Sequence, residues 1–261
     1  MDLQLDARTA LVSGAERGTG KVIAQNLAAE GAQVFLHGFS EQASCEAAAD
    51  IAGASPVWGD IASASGTEAL LAQLADLPAV DILVNNYGSA SRGKWSGSSE
   101  QDWLDMYQRN VLSAARLAQA LTPAMAARGW GRVIQLGTIG SHQPNAIMPH
   151  YYSAKGALAT MAASLALELS NTGITVNTVS PGLIHTEEVE AGYRARAAKR
   201  GWGEDWNDIL AHIVAEDFPN PVGRIATRQE VADLVLFLCS PRADFIHGQN
   251  IRVDGGAVRY V

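Results

Sequence analysis

The stretch HYYSAKGAL, residues 150 to 158, sets two phenols ahead of one ammonium group. Tyr151 lies four residues before Lys155, and Tyr152 lies three before it. On a helix both spacings share a face, so geometry alone allows either phenol to meet the lysine. A free tyrosine has a pKa of about 10, too high to exchange protons readily at neutral pH. A nearby positive charge favours the phenolate and lowers that value. The stretch is therefore a candidate acid and base pair, with helix packing as the competing account.

A second stretch with chemical content is VSGAERGTGKVIAQNLA, where Gly14, Gly18 and Gly20 stand between a strand-like and a helix-like run. Glycines in that place allow a tight turn and close backbone approach. The helix N-terminus that follows offers free N–H groups to a pyrophosphate. The spacing is Gly-x-x-x-Gly-x-Gly, which differs from the commonest dinucleotide fingerprint.

The elements that must position these residues are legible as an alternation. Apolar, β-branched runs at 9–14, 32–38, 55–60, 80–86, 131–137, 173–180 and 249–256 read as strands. Several are almost continuously apolar, as strands covered on both faces are. Amphipathic stretches separate them, and the last opens with a capping box, Thr227 and Glu230. The pattern predicts an α/β fold: a doubly wound parallel sheet with helices on both faces. No repeat, low-complexity tract or linker divides the chain, so residues 1–261 are expected to form a single domain. One segment, 185–224, is longer than a simple crossover needs and is expected to form a substrate loop.

Hydrophobic residues make up 48% and charged residues 18%, ordinary for a globular protein with a large core. The formal net charge of −8 repels nucleic acid and anionic membrane surfaces, so neither is an expected partner. The N-terminus lacks a basic segment followed by a long apolar run, and no stretch reaches the ~18 apolar residues of a spanning helix. Cys45 and Cys239 are expected to be buried free thiols, and a reducing cytoplasm is the expected location.

Taken in order, GAERGTG, GD at 59–60, NNYG at 85–88, RNV at 109–111, YYSAK at 151–155, SPGLIHT at 180–186 and RVDGG at 252–256 form an ordered set. On these motifs the chain resembles the short-chain dehydrogenase/reductase family, from about residue 7 to the C-terminus. The resemblance implies a Rossmann-type domain with seven parallel strands and hydride transfer between a nicotinamide and a ketone or secondary alcohol. Its Tyr-x-x-x-Lys motif selects Tyr151 with Lys155 and leaves Tyr152 as a packing residue. Lys155 would also hold the nicotinamide ribose. Thr138 stands where relatives usually carry Ser and keeps the hydroxyl, with Ser141 as a fallback. Asn110 resembles the Asn whose backbone holds a relay water.

The cofactor contacts implied by resemblance are Gly14, Arg17, Gly18, Thr19 and Gly20 in the glycine loop and Asp60 on the adenine amino group. Ile61 would lie beside the adenine ring, with Asn86 and Gly88 in the NNYG turn. Tyr151, Lys155, Pro181, Gly182, Ile184 and Thr186 complete them. Tyr87 replaces the usual Ala and needs a local rearrangement or a partner. In the second strand, FLHGFSE puts Gly38 where an NAD site carries a carboxylate, so no acid is expected there to repel a 2′-phosphate. Arg17 suits a phosphate, and His37 and Ser40 can add hydrogen bonds. Phe39 stands where many NADP enzymes have a second Arg. NADP(H) is favoured, with NAD(H) possible.

Residues beyond the strand ends should line the pocket: Trp95, His142, Asn145, His150, Leu183 and His185. Trp202 and Trp206, with Tyr193, can cap it from the long segment. The run YRARAAKR is either a solvated helix face or an attractor of an anionic substrate. No spacing indicates a metal site. The expected activity is that of an NADP(H)-preferring carbonyl reductase, reversible as an alcohol dehydrogenase on a small carbonyl or alcohol substrate. The alternatives are a 3-oxoacyl thioester reductase and, from another class, a catalytically silent NADP-binding regulatory protein. A homo-oligomer is expected, a tetramer before a dimer.

Overall fold

The computed structural model describes residues 2–260, so the first and last residues of the expected 1–261 unit lie outside it. Seven strands form one parallel sheet: β1 (Thr9–Val12), β2 (Gln33–Gly38), β3 (Ala54–Trp58), β4 (Ile82–Asn85), β5 (Gly131–Leu136), β6 (Ile174–Pro181) and β7 (Asn250–Val253). The helices connecting the first five strands are α1 (Gly18–Ala29), α2 (Glu41–Ala48), α3 (Ala64–Leu74), α4 (Glu100–Tyr107) and α5 (Ser113–Arg128). Then come α6 (Pro149–Glu168), α7 (Glu187–Arg200), α8 (Trp206–His212) and α9 (Arg228–Cys239). No helix among the described residues is long and apolar enough to cross a membrane.

The strand order is β3-β2-β1-β4-β5-β6-β7. Side chains alternate between the sheet's two faces. Ala10 and Val12 of β1 join Ile23 and Leu27 of α1 and Val231 and Val235 of α9 in one core. Leu11, between them, joins Phe35, Leu83, Leu70, Leu117 and Ala162 in the other. Both faces are apolar, which is why these strands read as continuous hydrophobic runs. The order reverses beside β1, where β4 follows on one side and β2 on the other, and that reversal opens a crevice at the strands' C-terminal ends.

Local signals set the helix starts. Pro149 opens α6 at its first turn, where a missing N–H costs nothing. The Thr227–Glu230 capping box is formed: Thr227 N donates to Glu230 Oε2 at 2.8 Å, and Glu230 N donates to Thr227 Oγ1 at 3.2 Å. Hydrogen bonds from Arg224 and from the backbone and hydroxyl of Thr227 hold the Glu230 carboxyl down at about 2. Between α4 and α5 the chain widens into a π-turn, Gln108–Leu112, a rare geometry often found at functional sites. Asn110 is its middle residue.

Between β6 and β7, α7 and α8 build a small core of their own from Ala197, Trp202, Ile209, Ile213, Phe218 and Ile225. A bridge between Ile184 and Ala226 closes its base. Trp202, expected at the pocket, belongs to this core instead: it is buried and stacks on His212 at 4.7 Å. Arg196 lies over its ring at 4.9 Å. The cations of YRARAAKR are largely neutralised in place, Arg194 by Glu190, Arg196 by Asp217 and Arg200 by Glu216. They form an ion-paired face rather than an anion attractor. Of the two thiols, Cys239 is buried as expected, and Cys45 is exposed. Helix α2 turns Ser44, Ala47 and Ala48 inward, which leaves residue 45 on the outer side.

Candidate active site

Helix α1 starts directly under the crevice, and its N-terminus is bare. Its Ncap residue, Arg17, gives no side-chain cap, and the first turn holds no acid. By contrast Ser40, Ser63, Ser99, Thr186, Asp205 and Thr227 each cap their helix. The N–H groups of α1, including those around Thr19, therefore remain for an anion, and the helix dipole favours one. Gly18 takes a positive φ of 59°, the left-handed region open to glycine at no cost. Asn86, just past β4, clamps the loop, its Nδ2 donating to Ser13 O at 3.0 Å and to Gly14 O at 2.9 Å. A Cβ on Gly20 would lie 2.4 Å from that same nitrogen. A bare helix end beneath a glycine-lined cradle fits the pyrophosphate of a dinucleotide.

The end of β2 differs from expectation in three respects. His37 is wholly buried and is a strut: Gly14 N donates to its Nδ1 at 3.0 Å, and its Nε2 reaches Gly59 O at 2.9 Å. Burial lowers its pKa, so the neutral ring is held and none of it faces a ligand. Ser40 Oγ accepts from Ala43 N as the cap of α2. An acid does reach this strand end, since Glu16 Oε2 accepts from Phe39 N at 3.0 Å. Arg17 is 76% exposed and pairs with Glu188 at 3.6 Å. Tyr87 has found its partner in Phe39, with ring centroids 4.7 Å apart.

These two rings border an open cleft of about 510 Å³ with Asp60, Asp105 and Arg109. Asp60 is exposed and accepts from Ala62 N through Oδ1. The Ile61 side chain was expected beside the adenine ring, but it is 1% exposed and packs in the core with Leu70 and Leu83.

Lys155, Asn110 and Gly88 converge beside β5. Lys155 is 3% exposed, and its Nζ donates to Leu136 O at 2.7 Å. A Cβ on Gly88 would fall 2.8 Å from that Nζ and 2.6 Å from Asn110 Oδ1. The Asn110 side chain is fully used: Oδ1 accepts from Ser89 N, and Nδ2 donates to Ser89 O and Met106 O. Its π-turn backbone is thereby fixed against the NNYG turn.

The two tyrosines have different surroundings. Tyr152 lies against Gly140, where a Cβ would be 2.0 Å from its ring, and its hydroxyl accepts from Asn145 Nδ2 at 2.9 Å. Tyr151 packs beside Met106 and Val111, and its hydroxyl has no protein partner among the described residues. Burial pushes the Tyr151 phenol up to about 12, the neighbouring Tyr152 adding to the rise. Burial brings Lys155 down to about 8. The lysine was expected to lower the phenol; instead desolvation and the neighbouring ring raise it. At neutral pH the pair rests as phenol and ammonium.

Thr138 ends β5's extension and starts the short turn Ile139–Ser141. Its Oγ1 accepts from Gly140 N at 3.2 Å, so its own proton remains to donate. Ser141, the fallback, donates its hydroxyl proton to Thr138 O at 2.7 Å and is occupied.

Around this centre, His142 Nε2 accepts from Asn250 Nδ2 at 3.0 Å, and the Tyr260 hydroxyl donates to His142 O. His185 stacks on Trp206 at 4.9 Å and bonds Glu190 through Nε2 at 2.8 Å. Leu183 packs against the small core of Trp202, Ile209 and Phe218. Asn145 is a loop tie as well as Tyr152's donor, since its Oδ1 accepts from Ile147 N. His150 was expected at the pocket but is 2% exposed, accepting from Tyr151 N through Nδ1 with its ring edge on Trp103. Trp95 is 71% exposed and packs on Trp103 at 5.0 Å. At the end of β6, Pro181 is buried, and a Cβ on Gly182 would lie 2.4 Å from Phe218. Ile184 forms its bridge there, and Thr186 Oγ1 caps α7 through Val189 N. Sequence reasoning missed Glu16, Trp103, Asn250 and Tyr260. Of these only Glu16 stood inside a motif already singled out.

The family model described as enoyl-(acyl carrier protein) reductase matches residues 14–258. The 3-oxoacyl-[acyl-carrier-protein] reductase FabG of Escherichia coli K12 is 34% identical over 257 residues, covering 97% of this chain and 98% of that one. The L-sorbose reductase of Gluconobacter frateurii, solved with NADPH and L-sorbose, superposes with a TM-score of 0.93 at 31% identity, covering 100% of both chains. A gluconate 5-dehydrogenase from Burkholderia cenocepacia J2315, solved with NADP and tartrate, gives a TM-score of 0.86 at 27% identity, covering 100% of this chain and 98% of that one. With the ordered motifs, the seven-stranded sheet and a family match across almost its whole length, the chain belongs to the short-chain dehydrogenase/reductase family, whose members here are reductases and dehydrogenases of carbonyl and hydroxyl groups.

Proposed function

We propose that this protein is an NADP(H)-preferring reductase of a small hydroxylated ketone, reversible as an alcohol dehydrogenase. The observation that carries the substrate class is the full-length likeness to a reductase solved with NADPH and L-sorbose. The polar groups near the strand ends, the His142–Asn250 pair and the His185–Glu190 pair, suit hydroxyls better than an acyl chain. NADP(H) is supported by the neighbours solved with it and by the exposed Arg17 beside the glycine loop. A second reading, reduction of a 3-oxoacyl thioester, is favoured by the 34% identity to the E. coli reductase.

The bare end of α1 and the glycine loop would hold a nicotinamide dinucleotide, which would supply the hydride. The chain's own residues do the rest. Thr138 donates a hydrogen bond to the carbonyl oxygen and orients it. Tyr151, neutral at rest, gives its proton to that oxygen as it becomes an alkoxide. Lys155, on the same helix face four residues on, brings its charge toward the phenol and fixes the nicotinamide ribose. Asn110 positions a relay water through its backbone. The chain acts as one domain with residues 185–224 as its substrate loop. It works as a homotetramer in the cytoplasm, and sedimentation of the purified protein tests the assembly.

Oxidation of NADPH and NADH should be followed against ketoses, keto acids, cyclic diketones and 3-oxoacyl thioesters. A ketose is expected to give the highest kcat/KM, with NADPH. Preference for the thioester would move the assignment to the second reading, and tight NADPH binding without any turnover would favour a silent binding protein. Thr138→Val should lower kcat/KM by about 10²-fold, the typical loss for one polarising donor, while Thr138→Ser stays within a few-fold of wild type. Equal losses in both variants would remove the hydroxyl from the mechanism.

A further inference from the structure

The end of β2 carries a carboxylate that belongs to another element. Position 38 is glycine, and a Cβ built there would lie 2.6 Å from Glu16 Oε2 and 2.6 Å from Ser44 Oγ. A side chain at 38 would need the Glu16 carboxylate and the Ser44 hydroxyl to move, so the acid at this strand end is the one arriving from the glycine loop. That loop is laid along the strand end by two bonds to one residue: Gly14 N donates to His37 Nδ1 at 3.0 Å, and Ala15 N donates to His37 O at 2.7 Å. Glu16 then reaches over Gly38, and its Oε2 takes the Phe39 N–H at 3.0 Å. Arg17, the next residue, faces Glu188 at the start of α7. Two adjacent residues of opposite charge therefore flank the strand end, one engaged on it and one turned away.

In sheets of this architecture the adenosine ribose lies at the end of the second strand, where a carboxylate takes its 2′-hydroxyl and an Arg takes a 2′-phosphate. We propose that Glu16 is a specificity-determining residue for the cofactor ribose. Its carboxylate stands in for the missing strand acid, accepts the 2′-hydroxyl and opposes a 2′-phosphate. The Phe39 N–H is a single donor, and the Glu16 carboxylate and a phosphate oxygen compete for it. Like charges sharing one donor also repel. Glu16 thus holds down the NADP(H) preference that Arg17 provides and keeps NAD(H) usable. The inference rests on the dinucleotide binding proposed above.

The test uses two probes that differ only in the 2′-phosphate: adenosine 2′,5′-bisphosphate and adenosine 5′-monophosphate. Each is titrated calorimetrically into folded wild type, Glu16→Gln and Glu16→Ser. Glutamine keeps the acceptor for Phe39 N and removes the charge; serine guards against a folding failure specific to glutamine. Both variants should bind the bisphosphate about ten-fold more tightly, the size of one close like-charge pair near a surface, with the monophosphate unchanged or weaker. The gain should shrink at high salt. An unchanged ratio of the two affinities in both variants overturns the role of Glu16. Wild type binding neither probe overturns the dinucleotide reading and this inference with it.

Discussion

Tyr151→Phe is expected to lose about 10²–10⁴-fold in kcat, the range for removal of a general acid, while binding NADPH with wild-type affinity. The neighbouring change, Tyr152→Phe, is expected to stay within a few-fold. The contrast follows from what each hydroxyl touches. Tyr152's is held by Asn145, and its ring fills the space over Gly140. Tyr151's has no protein partner among the described residues. Its phenol, pushed up to about 12, is in the protonated form throughout the neutral range. That is the form a reduction consumes, because the developing alkoxide needs a proton. The reverse reaction needs the phenolate and should therefore rise with pH well above neutrality. Single-turnover rates and fluorescence titration of NADPH on both variants decide the matter. The opposite ranking, Tyr152→Phe severe and Tyr151→Phe mild, would transfer the acid role to Tyr152.

The sheet was legible because both of its faces are covered. A strand buried on two sides is rich in apolar residues at successive positions, even where β5 and β6 also bury Arg132, Gln135 and Asn177, and such runs stand out between amphipathic helices. The runs read at 131–137 and 173–180 match β5 and β6 to within one residue at each end. The shared face of Tyr151 and Lys155 was readable for a different reason: both are on one helix, four positions apart. What was not legible is contact across elements. Glu16 and Phe39 are 23 residues apart, and no local pattern says that the loop's carboxylate will lie over Gly38. The same is true of Tyr87, whose partner Phe39 lies just past the end of β2. His37 misled because a strand-end imidazole looks available in sequence, while its two ring nitrogens are spent on Gly14 and Gly59. Trp202 misled because an aromatic residue in a long loop can face a ligand or the loop's own core, and periodicity in short helices does not separate the two.

Lys155→Met is expected to remove most turnover, at least about 10²-fold, and yet to leave the cofactor-free fold as stable as wild type or more so. The ammonium is buried with a single hydrogen bond, to Leu136 O. Burial alone lowers it from 10.5 to about 8. Between these two values the unfolded chain holds a proton that the native state has released. This group's contribution to stability therefore rises with pH from about 8 to 10.5 and is at its least favourable below 8. The difference of 10.5 − 8, or 2.5 pH units, corresponds to about 3 kcal/mol of native-state cost at neutral pH. Methionine has similar length, carries no charge and fills irregular space well. It forfeits the bond to Leu136 O, worth about 1.5–3 kcal/mol for a charged donor, so the two changes nearly cancel or favour the variant. Thermal unfolding at pH 7 should then show a melting temperature within a few degrees of wild type or above it. On going from pH 8 to 10.5 the wild type should gain on the variant. A variant that melts far below wild type at pH 7 would make Lys155 a structural residue. A stable but inactive one would show that this lysine is kept in an unfavourable place for the charge it brings to Tyr151 and the ribose.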